Sequence, residues 1–287
     1  MNIFNKVTLQ SLKRSRTRTI VTIIGVILSV AMTTAVTSFI ASLQDYFRRA
    51  QISSHGEWHV NVSDVQDGFI QKISADDEVK KTAVMQKVGY AKLSENQTSD
   101  IPYFFVAGIN DTAYEVLPIS IDKGRAPTSS EEILIPHNMV DEEKKIDIGY
   151  EIPLYIGNRS LEGKTITPDT LYQNNNALIN EAETFTHQFT KTYTIVGVYT
   201  RPGYSGEEMS EYTIMTKADR QAPNLNIFLE LETPGSVYDF GKKIENETGS
   251  KVSIGYNEGL LMSMGISEDP GVNDTLYTFG AILILLI

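Results

Sequence analysis

Three side chains near residue 57 have the types and the spacing of metal ligands. His55, Glu57 and His59 recur at every second position, so on a β-strand all three project from one face. Imidazole and carboxylate groups bind zinc, which takes three or four such ligands. The chain has no cysteine and no nearby third histidine to complete the set. We therefore favour an exposed strand edge over a metal site.

Other polar stretches fail the spacing tests for catalysis or calcium binding. GYSGE at residues 203–207 resembles a nucleophile turn but lacks the G-x-S-x-G spacing. The carboxylate runs ADDE, VDEEKK and SEDPGVND do not match an EF-hand loop, and we interpret them as solvated surface. The nucleotide-binding motif G-x-x-x-x-G-K-[ST] is absent, so any nucleotide must be bound by another chain. The sequence therefore predicts a protein that is not an enzyme and uses no cofactor.

Charge divides the chain into three kinds of region. Residues 1–18 carry five basic side chains and no acidic one, whereas residues 19–43 and 276–287 carry no charge. Residues 44–275 hold the other 20 basic and all 36 acidic side chains. This distribution is typical of a membrane protein with a large acidic exported part. An acidic surface repels phosphate, which argues against nucleic acid as a partner.

Residues 19–43 form a charge-free stretch of 25 residues. As a helix rising about 1.5 Å per residue, this stretch exceeds the ~30 Å hydrocarbon core of a bilayer. Signal peptides have apolar regions of only ~7–15 residues, so we predict a retained transmembrane helix rather than a signal. The basic residues before it predict a cytoplasmic N-terminus, with residues 44–275 outside the cytoplasm.

Small side chains recur every fourth residue along this predicted helix, at Gly25, Ser29, Thr33, Thr37 and Ala41. Lipid gives no hydrophobic reward for helix association, so helices in membranes associate through close approach at small residues. The row is a candidate packing face toward another membrane helix. The alternative is that small residues are simply common in such helices.

Both ends of the sequence indicate contact with a membrane. Residues 1–18 form a moderately amphipathic pattern, which predicts a basic cytoplasmic helix in the membrane interface or against a cytoplasmic partner. Residues 276–287 are apolar, but 277–287 would span only ~16 Å as a helix. We predict the truncated start of a second transmembrane helix. The β alternative would expose ILILLI at a sheet edge, where it would promote aggregation.

The exported region has the patterns of a mixed α+β domain. Strand, helix and strand patterns follow one another in EWHVNVSDV, VQDGFIQKIS and KTAVMQKVGYAKL, and again in NIFLELE, SVYDFGKKIENE and KVSIGY. Gly249 suits the position after the second helix, which needs a positive φ. We predict a core module of residues 44–93 and 200–275 with a β-rich insertion at residues 94–199. Within this insertion, residues 157–188 indicate a long hairpin or a partly mobile loop.

In this order, these features resemble the permease subunits of ABC transporters of the MacB/FtsX-like family. LKRSRTRTIVTIIGVILSVAM is similar to the basic run and first helix of that family, and GEWHVNV to the strand that follows. DKGRAPTSSEEILIP is similar to its Gly-Arg-x-Pro turn and Glu-Ile strand, KIDIGYEIPLY to the sequel, and TYTIVGVYTRP to the closing strand. The motif residues are Gly124, Arg125, Pro127, Glu132, Ile133, Gly149, Val196 and Gly197. The family pattern continues through at least three further spans.

The resemblance implies a fold and a function. The expected fold is an α+β extracytoplasmic domain of the MacB-like periplasmic core type, flanked by transmembrane helices in the cell membrane. The expected function is that of a permease subunit, coupled to a cytoplasmic ATP-binding subunit and to a second permease copy or a paralogue. Such a subunit passes energy across the bilayer as motion, and the apolar spacing of residues 38–52 predicts one helix from the membrane into a stalk. The alternative is a membrane-anchored extracytoplasmic sensor or binding protein without an ATPase partner.

Overall fold

A computed structural model describes residues 16–93, 103–161, 163–165, 183–200, 211–223, 225–249, 252–269 and 271. The chain divides into two compact units, residues 1–49 with 262–287 and residues 50–261. Three predicted features lie outside the described residues: most of the basic N-terminal helix, the second span at 276–287 and the GYSGE segment.

The first element is a single long helix, α1, at Arg16–His55. By length and composition alone, α1 could cross a membrane. It contains the predicted span of residues 19–43, and its continuity confirms the prediction of one helix through residues 38–52.

After α1, the chain alternates strands and short helices. In chain order they are β1 (Val60–Val65), α2 (Asp67–Ser74), β2 (Val79–Lys92), β3 (Tyr103–Ile109), α3 (Ala113–Val116), β4 (Ser120–Gly124), β5 (Glu132–Pro136), β6 (Glu151–Leu161), β7 (Lys164–Thr165), β8 (Glu183–Thr200), β9 (Glu211–Lys217), β10 (Leu225–Leu231), α4 (Val237–Thr248), β11 (Ser253–Tyr256) and α5 (Glu258–Ser263).

The two predicted strand–helix–strand units, β1-α2-β2 and β10-α4-β11, combine into one module. Its strands lie in the order β11-β1-β10-β2, and each pair of neighbours is antiparallel. The helices contribute apolar faces to the interior: Ile70 and Ile73 of α2 are buried, as are Phe240 and Ile244 of α4. Gly249 ends α4 with φ +63°, as its position in the sequence predicted.

Strand β2 continues from this module into a second, closed part of the sheet. The described strands β2, β3, β9, β5, β8 and β6 lie side by side in that order, and β6 pairs back to β2. Buried apolar side chains, among them Val106, Ile133, Leu154 and Ile195, form one core cluster from these strands. At Gly89 of β2, φ is +144°, and a Cβ there would lie 3.0 Å from the carbonyl oxygen of Gly157. The glycine therefore permits the close approach of β2 and β6 that closes the ring.

This architecture confirms the predicted α+β fold class with a β-rich part. The hairpin prediction for residues 157–188 also holds where the chain is described, because β6 and β8 pair from Glu151↔Thr194 to Leu161↔Glu183. Strand β9, which the sequence analysis grouped with the core module, instead pairs with β3 and β5. The boundaries of module and insertion stay predictions.

Candidate functional site at the end of helix α1

The end of α1 is a glycine turn against a neighbouring backbone. The amide of Gly56 donates to the carbonyl oxygen of Ile52 at 2.8 Å, which completes the last helical turn. Gly56 has φ +95°, and a Cβ there would overlap the carbonyl oxygen of Val116. The next amide, that of Glu57, donates to the same carbonyl oxygen at 2.7 Å. The chain leaving α1 is therefore attached directly to the last residue of α3.

Two side chains donate hydrogen bonds to backbone carbonyl oxygens of this turn. The indole nitrogen of Trp58 donates to the carbonyl oxygen of His55 at 2.8 Å, and its ring packs edge-on against Phe228 at 5.3 Å. The amide nitrogen of Asn257 donates to the carbonyl oxygens of Gly56 and Trp58 at 3.2 and 3.0 Å. Asn257 is buried, so these hydrogen bonds form away from competing water.

Asn257 also begins helix α5. Its side-chain oxygen accepts from the amide of Leu260 at 3.4 Å, the geometry of a helix N-cap. On the second residue of α5, a Cβ at Gly259 would lie 2.5 Å from the side-chain oxygen of Gln51 in α1. The glycine thus leaves room for the last turns of α1 beside α5.

His59 fixes the strand side of the same turn. Its Nδ1 accepts a hydrogen bond from the amide of Leu231 at 2.9 Å, and its own amide donates to the carbonyl oxygen of Leu229 at 2.8 Å. Burial lowers the pKa of His59, while the carboxylate of Glu230 acts in the opposite direction to a smaller extent. A neutral imidazole is required here, because a protonated Nδ1 could not accept from Leu231.

These positions correct the sequence-based interpretation of His55, Glu57 and His59. The three residues were expected on one face of an exposed strand edge, but His55 is the last residue of α1 and β1 begins only at Val60. His59 is buried, with 3% of its surface exposed. The period-2 spacing was misleading because it begins in the last turn of a helix and continues through the turn before β1, so the three side chains do not share one strand face. Among the residues that the structure describes, no three His, Asp or Glu side chains form a metal-binding group.

The family-motif residues gather around β8, which β6 separates from β2 in the ring. Gly124 pairs with Gly197, the amide of Arg125 donates to the carbonyl oxygen of Val196 at 3.1 Å, and the amide of Gly149 donates to that of Ile195 at 2.8 Å. Ile133 is buried in the core, and Pro127 is buried as well. The resemblance had placed these residues in one motif set, and the structure brings their backbones together.

Arg125 and Glu132 close the Gly-Arg-x-Pro turn as a bidentate ion pair, with N–O distances of 2.7 and 2.5 Å. The amide and hydroxyl of Thr128 donate to the same carboxylate at 2.8 Å each. Arg125 first, and Thr128 second, hold the pKa of Glu132 well below its usual range. Both carboxylate oxygens of Glu132 accept hydrogen bonds from residues of the turn, so we assign the Arg125–Glu132 pair a structural role.

The row of small residues lies on α1. The hydroxyl of Thr33 donates to the carbonyl oxygen of Ser29 at 3.0 Å, and that of Thr37 to the carbonyl oxygen of Thr33 at 3.0 Å. These hydroxyls are thereby satisfied within the helix, which suits an apolar surrounding. Gly25 has nothing within 4 Å of where a Cβ would stand. The role of the row as a packing face stays a prediction.

The carboxylate runs are held by ion pairs. In ADDE, the carboxylate of Asp76 accepts from the ammonium of Lys243 at 2.7 Å, and this hydrogen bond lowers the pKa of Asp76. In VDEEKK, Asp141 pairs with Lys144 at 2.9 Å. Both carboxylates therefore form ion pairs with lysine side chains of the domain.

The residues that hold the helix end, Gly56, Val116 and Asn257, were not identified from the sequence. Two signals were present: a glycine between a helix pattern and a strand pattern, and an Asn-Glu pair before the apolar Leu260 and Leu261. The contact of Gly56 with Val116 had no local signal, because it joins distant segments.

The family model of the MacB-like periplasmic core domain matches residues 19–247. The chain therefore belongs to the family of MacB-like periplasmic core domains, which confirms the resemblance to MacB/FtsX-like permeases. A comparison with curated proteins finds no match.

Solved structures with a similar fold have low sequence identity. One is the periplasmic region of MacB from Actinobacillus actinomycetemcomitans, at 7% identity, covering 76% of this chain and 97% of that one with a TM-score of 0.44. Another is the extracellular domain of the noncanonic ABC-type transporter YknZ from Gram-positive bacteria, at 11% identity, 68% and 98% coverage and a TM-score of 0.42. A domain of a putative permease protein from Porphyromonas gingivalis has 10% identity, 70% and 89% coverage and a TM-score of 0.40.

Proposed function

We propose that this chain is a permease subunit of an ABC transporter that couples ATP hydrolysis by a partner to movement of its extracytoplasmic domain. The observation that carries the proposal is the family match over residues 19–247, which includes the apolar part of α1. In this proposal a cytoplasmic partner subunit binds and hydrolyses the ATP, which agrees with the lack of a phosphate-binding loop in these 287 residues. The other expected partners are the bilayer and a second permease copy or a paralogue.

The contacts at the end of α1 support the proposal that movement of α1 is passed on to the extracytoplasmic domain. A mechanical link needs a helix that does not bend and an end that does not slip. Helix α1 is continuous through residues 38–52. Its end is attached by the bond from Glu57 to Val116 and by the buried amide of Asn257. We infer that a shift of α1 displaces the domain as a body.

The direct test is purification of the full-length protein with cytoplasmic ATP-binding subunits. We expect one of them to co-purify and its ATP hydrolysis to change when the permease is present in a bilayer. A full-length protein that retains no ATPase under mild detergent, and that leaves hydrolysis unchanged, would favour the anchored sensor or binding protein.

A second experiment tests the mechanical link itself. Seven residues inserted after Arg49 are either a Gly-Ser sequence or an Ala-rich helical sequence of equal length. Seven residues make about two helical turns, so the helical insertion nearly preserves the facing of α1. We expect coupled transport to survive the helical insertion and to be lost with the flexible one. Equal activity of the two variants would contradict transmission through α1.

A further inference from the structure

A polar groove of about 590 Å³ is lined by residues of the core module and of the chain around helix α3. Strand β2 supplies its floor, with Lys80, Lys81 and Thr82, and helices α2 and α3 contribute to its walls. Arg220, in the segment after β9, also lines it. The volume is within the range of about 300–1,000 Å³ that ligand sites occupy. The lining is mostly hydrophilic, which indicates a ligand held by charges and hydrogen bonds.

The basic side chains of the groove contact carboxylates of two different kinds. The buried carboxylate of Glu230 lies 2.5 Å from the ammonium of Lys80 and 3.5 Å from that of Lys81. Glu115, by contrast, has 64% of its side chain exposed and lies 3.2 Å from Lys81. Arg220 pairs with Asp67 at 2.9 Å. In each pair one partner is open to solvent, Glu115 in the first and Arg220 in the second, and pairs of this kind contribute little stability, so an incoming carboxylate can compete for Lys81 and for Arg220.

We propose that this groove binds an acidic peptide segment of a partner protein, with its carboxylates taking the place of Glu115 on Lys81 and of Asp67 on Arg220. The cations lie on β2 and on the segment after β9, and their side chains are partly exposed: 47% for Lys80, 29% for Lys81 and 53% for Arg220. This spread suits an extended chain with several carboxylates better than one compact anion. Thr82 and Thr112 add hydroxyl groups that can bond peptide amides and carbonyls.

Occupancy of the groove is linked to the end of α1. Glu115 precedes Val116, whose carbonyl oxygen accepts from Glu57. In this proposal, release of Glu115 from Lys81 acts on Val116, the next residue of α3, and through it on the junction. Binding of the peptide does not depend on the proposed transport function, and only the use of this link for transport does.

The test measures binding of a fluorescent Glu-Asp-Glu-Asp-Glu-Asp peptide to the full-length protein in detergent by anisotropy. Lys81→Gln and Arg220→Gln each remove a contact and should weaken binding by about two- to fivefold. Glu115→Gln removes the internal competitor and should tighten binding by a similar factor. Lys242→Gln is the matched control, since this exposed lysine of α4 does not line the groove and should bind like the unmodified protein.

Several results would overturn the proposal. The Gln-Asn version of the peptide should not bind, and equal affinity for both peptides would contradict a carboxylate site. Weaker binding by Glu115→Gln, or unchanged binding by both Lys81→Gln and Arg220→Gln, would place any binding elsewhere. Pyrophosphate is the competitor that represents a compact anion, and displacement of the peptide at pyrophosphate concentrations below those of unlabelled peptide would reject the peptide assignment.

The link to α1 has its own readout. Trp58 is the one tryptophan of these 287 residues and lies in the junction, so its signal in the full-length protein is the difference from a Trp58→Phe variant. Its fluorescence should change when the acidic peptide binds. A peptide that binds with the expected variant pattern but leaves this fluorescence unchanged would retain the site and reject the link, irrespective of whether the protein transports.

Discussion

The amide of Glu57 donates a 2.7 Å hydrogen bond to the carbonyl oxygen of Val116, which joins the residue after α1 to the end of α3. The same carbonyl oxygen occupies the space that a side chain on Gly56 would need. The close approach and the hydrogen bond therefore depend on one another. A single added methyl group at position 56 should therefore disturb the junction, and Trp58 offers a spectroscopic probe within it.

Gly56→Ala should destabilise the domain by about 2 kcal/mol or more, because the new Cβ meets the Val116 carbonyl and φ of +95° strains any L-residue. The measurement is urea unfolding of the full-length protein in detergent, followed by Trp58 fluorescence. Gly68→Ala is the control: this glycine of α2 has open space around it, and alanine there should be neutral or stabilising by up to ~1 kcal/mol. Equal stability of the two variants would show that the junction does not require glycine.

Asn257→Ala removes a buried side chain that donates to two carbonyl oxygens and caps α5. Each buried group left without a partner costs about 1–3 kcal/mol, so we expect a loss of about 2–4 kcal/mol. Asn158→Ala, at an exposed position of β6, should change stability by no more than about 0.5 kcal/mol. The comparison uses the same urea titration, and a small effect at position 257 would mean that water replaces the amide.

The buried His59 makes stability dependent on pH near neutrality. Burial lowers its pKa in the folded protein below the ordinary value of 6.5. The unfolded chain therefore binds a proton that the folded one does not, and stability is complete above pH 6.5 and falls as the pH decreases below it. The charges facing His59 are those of Glu230, which raises the pKa of His59, and of Lys80, which lowers it; both effects are smaller than that of burial.

The test of this pH dependence is urea unfolding at half-unit steps from pH 8 to pH 5.5. The unmodified protein should lose stability toward the acid end, whereas His59→Gln should show a flatter profile on a lower baseline. Parallel profiles for the two proteins would assign the pH dependence to other groups.

Gly124 and Gly163 form a matched pair with nearly equal φ angles of +76° and +78°. A Cβ at Gly124 would overlap the Val196 carbonyl oxygen, whereas one at Gly163 has nothing within 4 Å. Gly163→Ala should therefore cost only the backbone strain of about 1–2 kcal/mol. Gly124→Ala should cost more, because β4 must also move away from β8. The difference in urea midpoint between the two variants measures the cost of the overlap with the Val196 carbonyl oxygen. Equal midpoints would show that β4 can move away from β8 without loss of stability.

Local periodicity was enough to predict α1, both strand–helix–strand units and the C′ glycine at position 249. These features depend on residues close in sequence. The closure of the ring was not predictable in the same way, because the pairing of Tyr90 with Gly157 joins strands separated by a long stretch of chain. The sequence predicted residues 200–275 as part of the core module, yet β9 at residues 211–217 lies in the ring beside β3.

The candidate site shows the same division. The capping role of Asn257 and the turn at Gly56 have short sequence signals. Outside that site, the buried Arg159 of β6 has no such signal: its guanidinium lies over the rings of Tyr90 and Tyr103 and pairs with Glu183, and only the folded ring brings these residues together. The alternation that includes His55 and His59 was read as one strand, because a helix end and a strand start can share a period-2 pattern over a few residues.

The row from Gly25 to Ala41 gives the last prediction, that it faces a second copy of the chain in the membrane. These 287 residues have no cysteine, so in a full-length version without any other cysteine Ser29→Cys introduces the sole thiol. Residue 27 lies about 200° around the helix from residue 29, so Ile27→Cys is the control on the opposite face. Oxidation of membranes that contain the full-length protein should crosslink Ser29→Cys and not Ile27→Cys. Adding Gly25→Ile should reduce the crosslink, since the larger side chain separates the backbones. Equal crosslinking at positions 27 and 29 would mean that the small residues do not mark the face between the two copies.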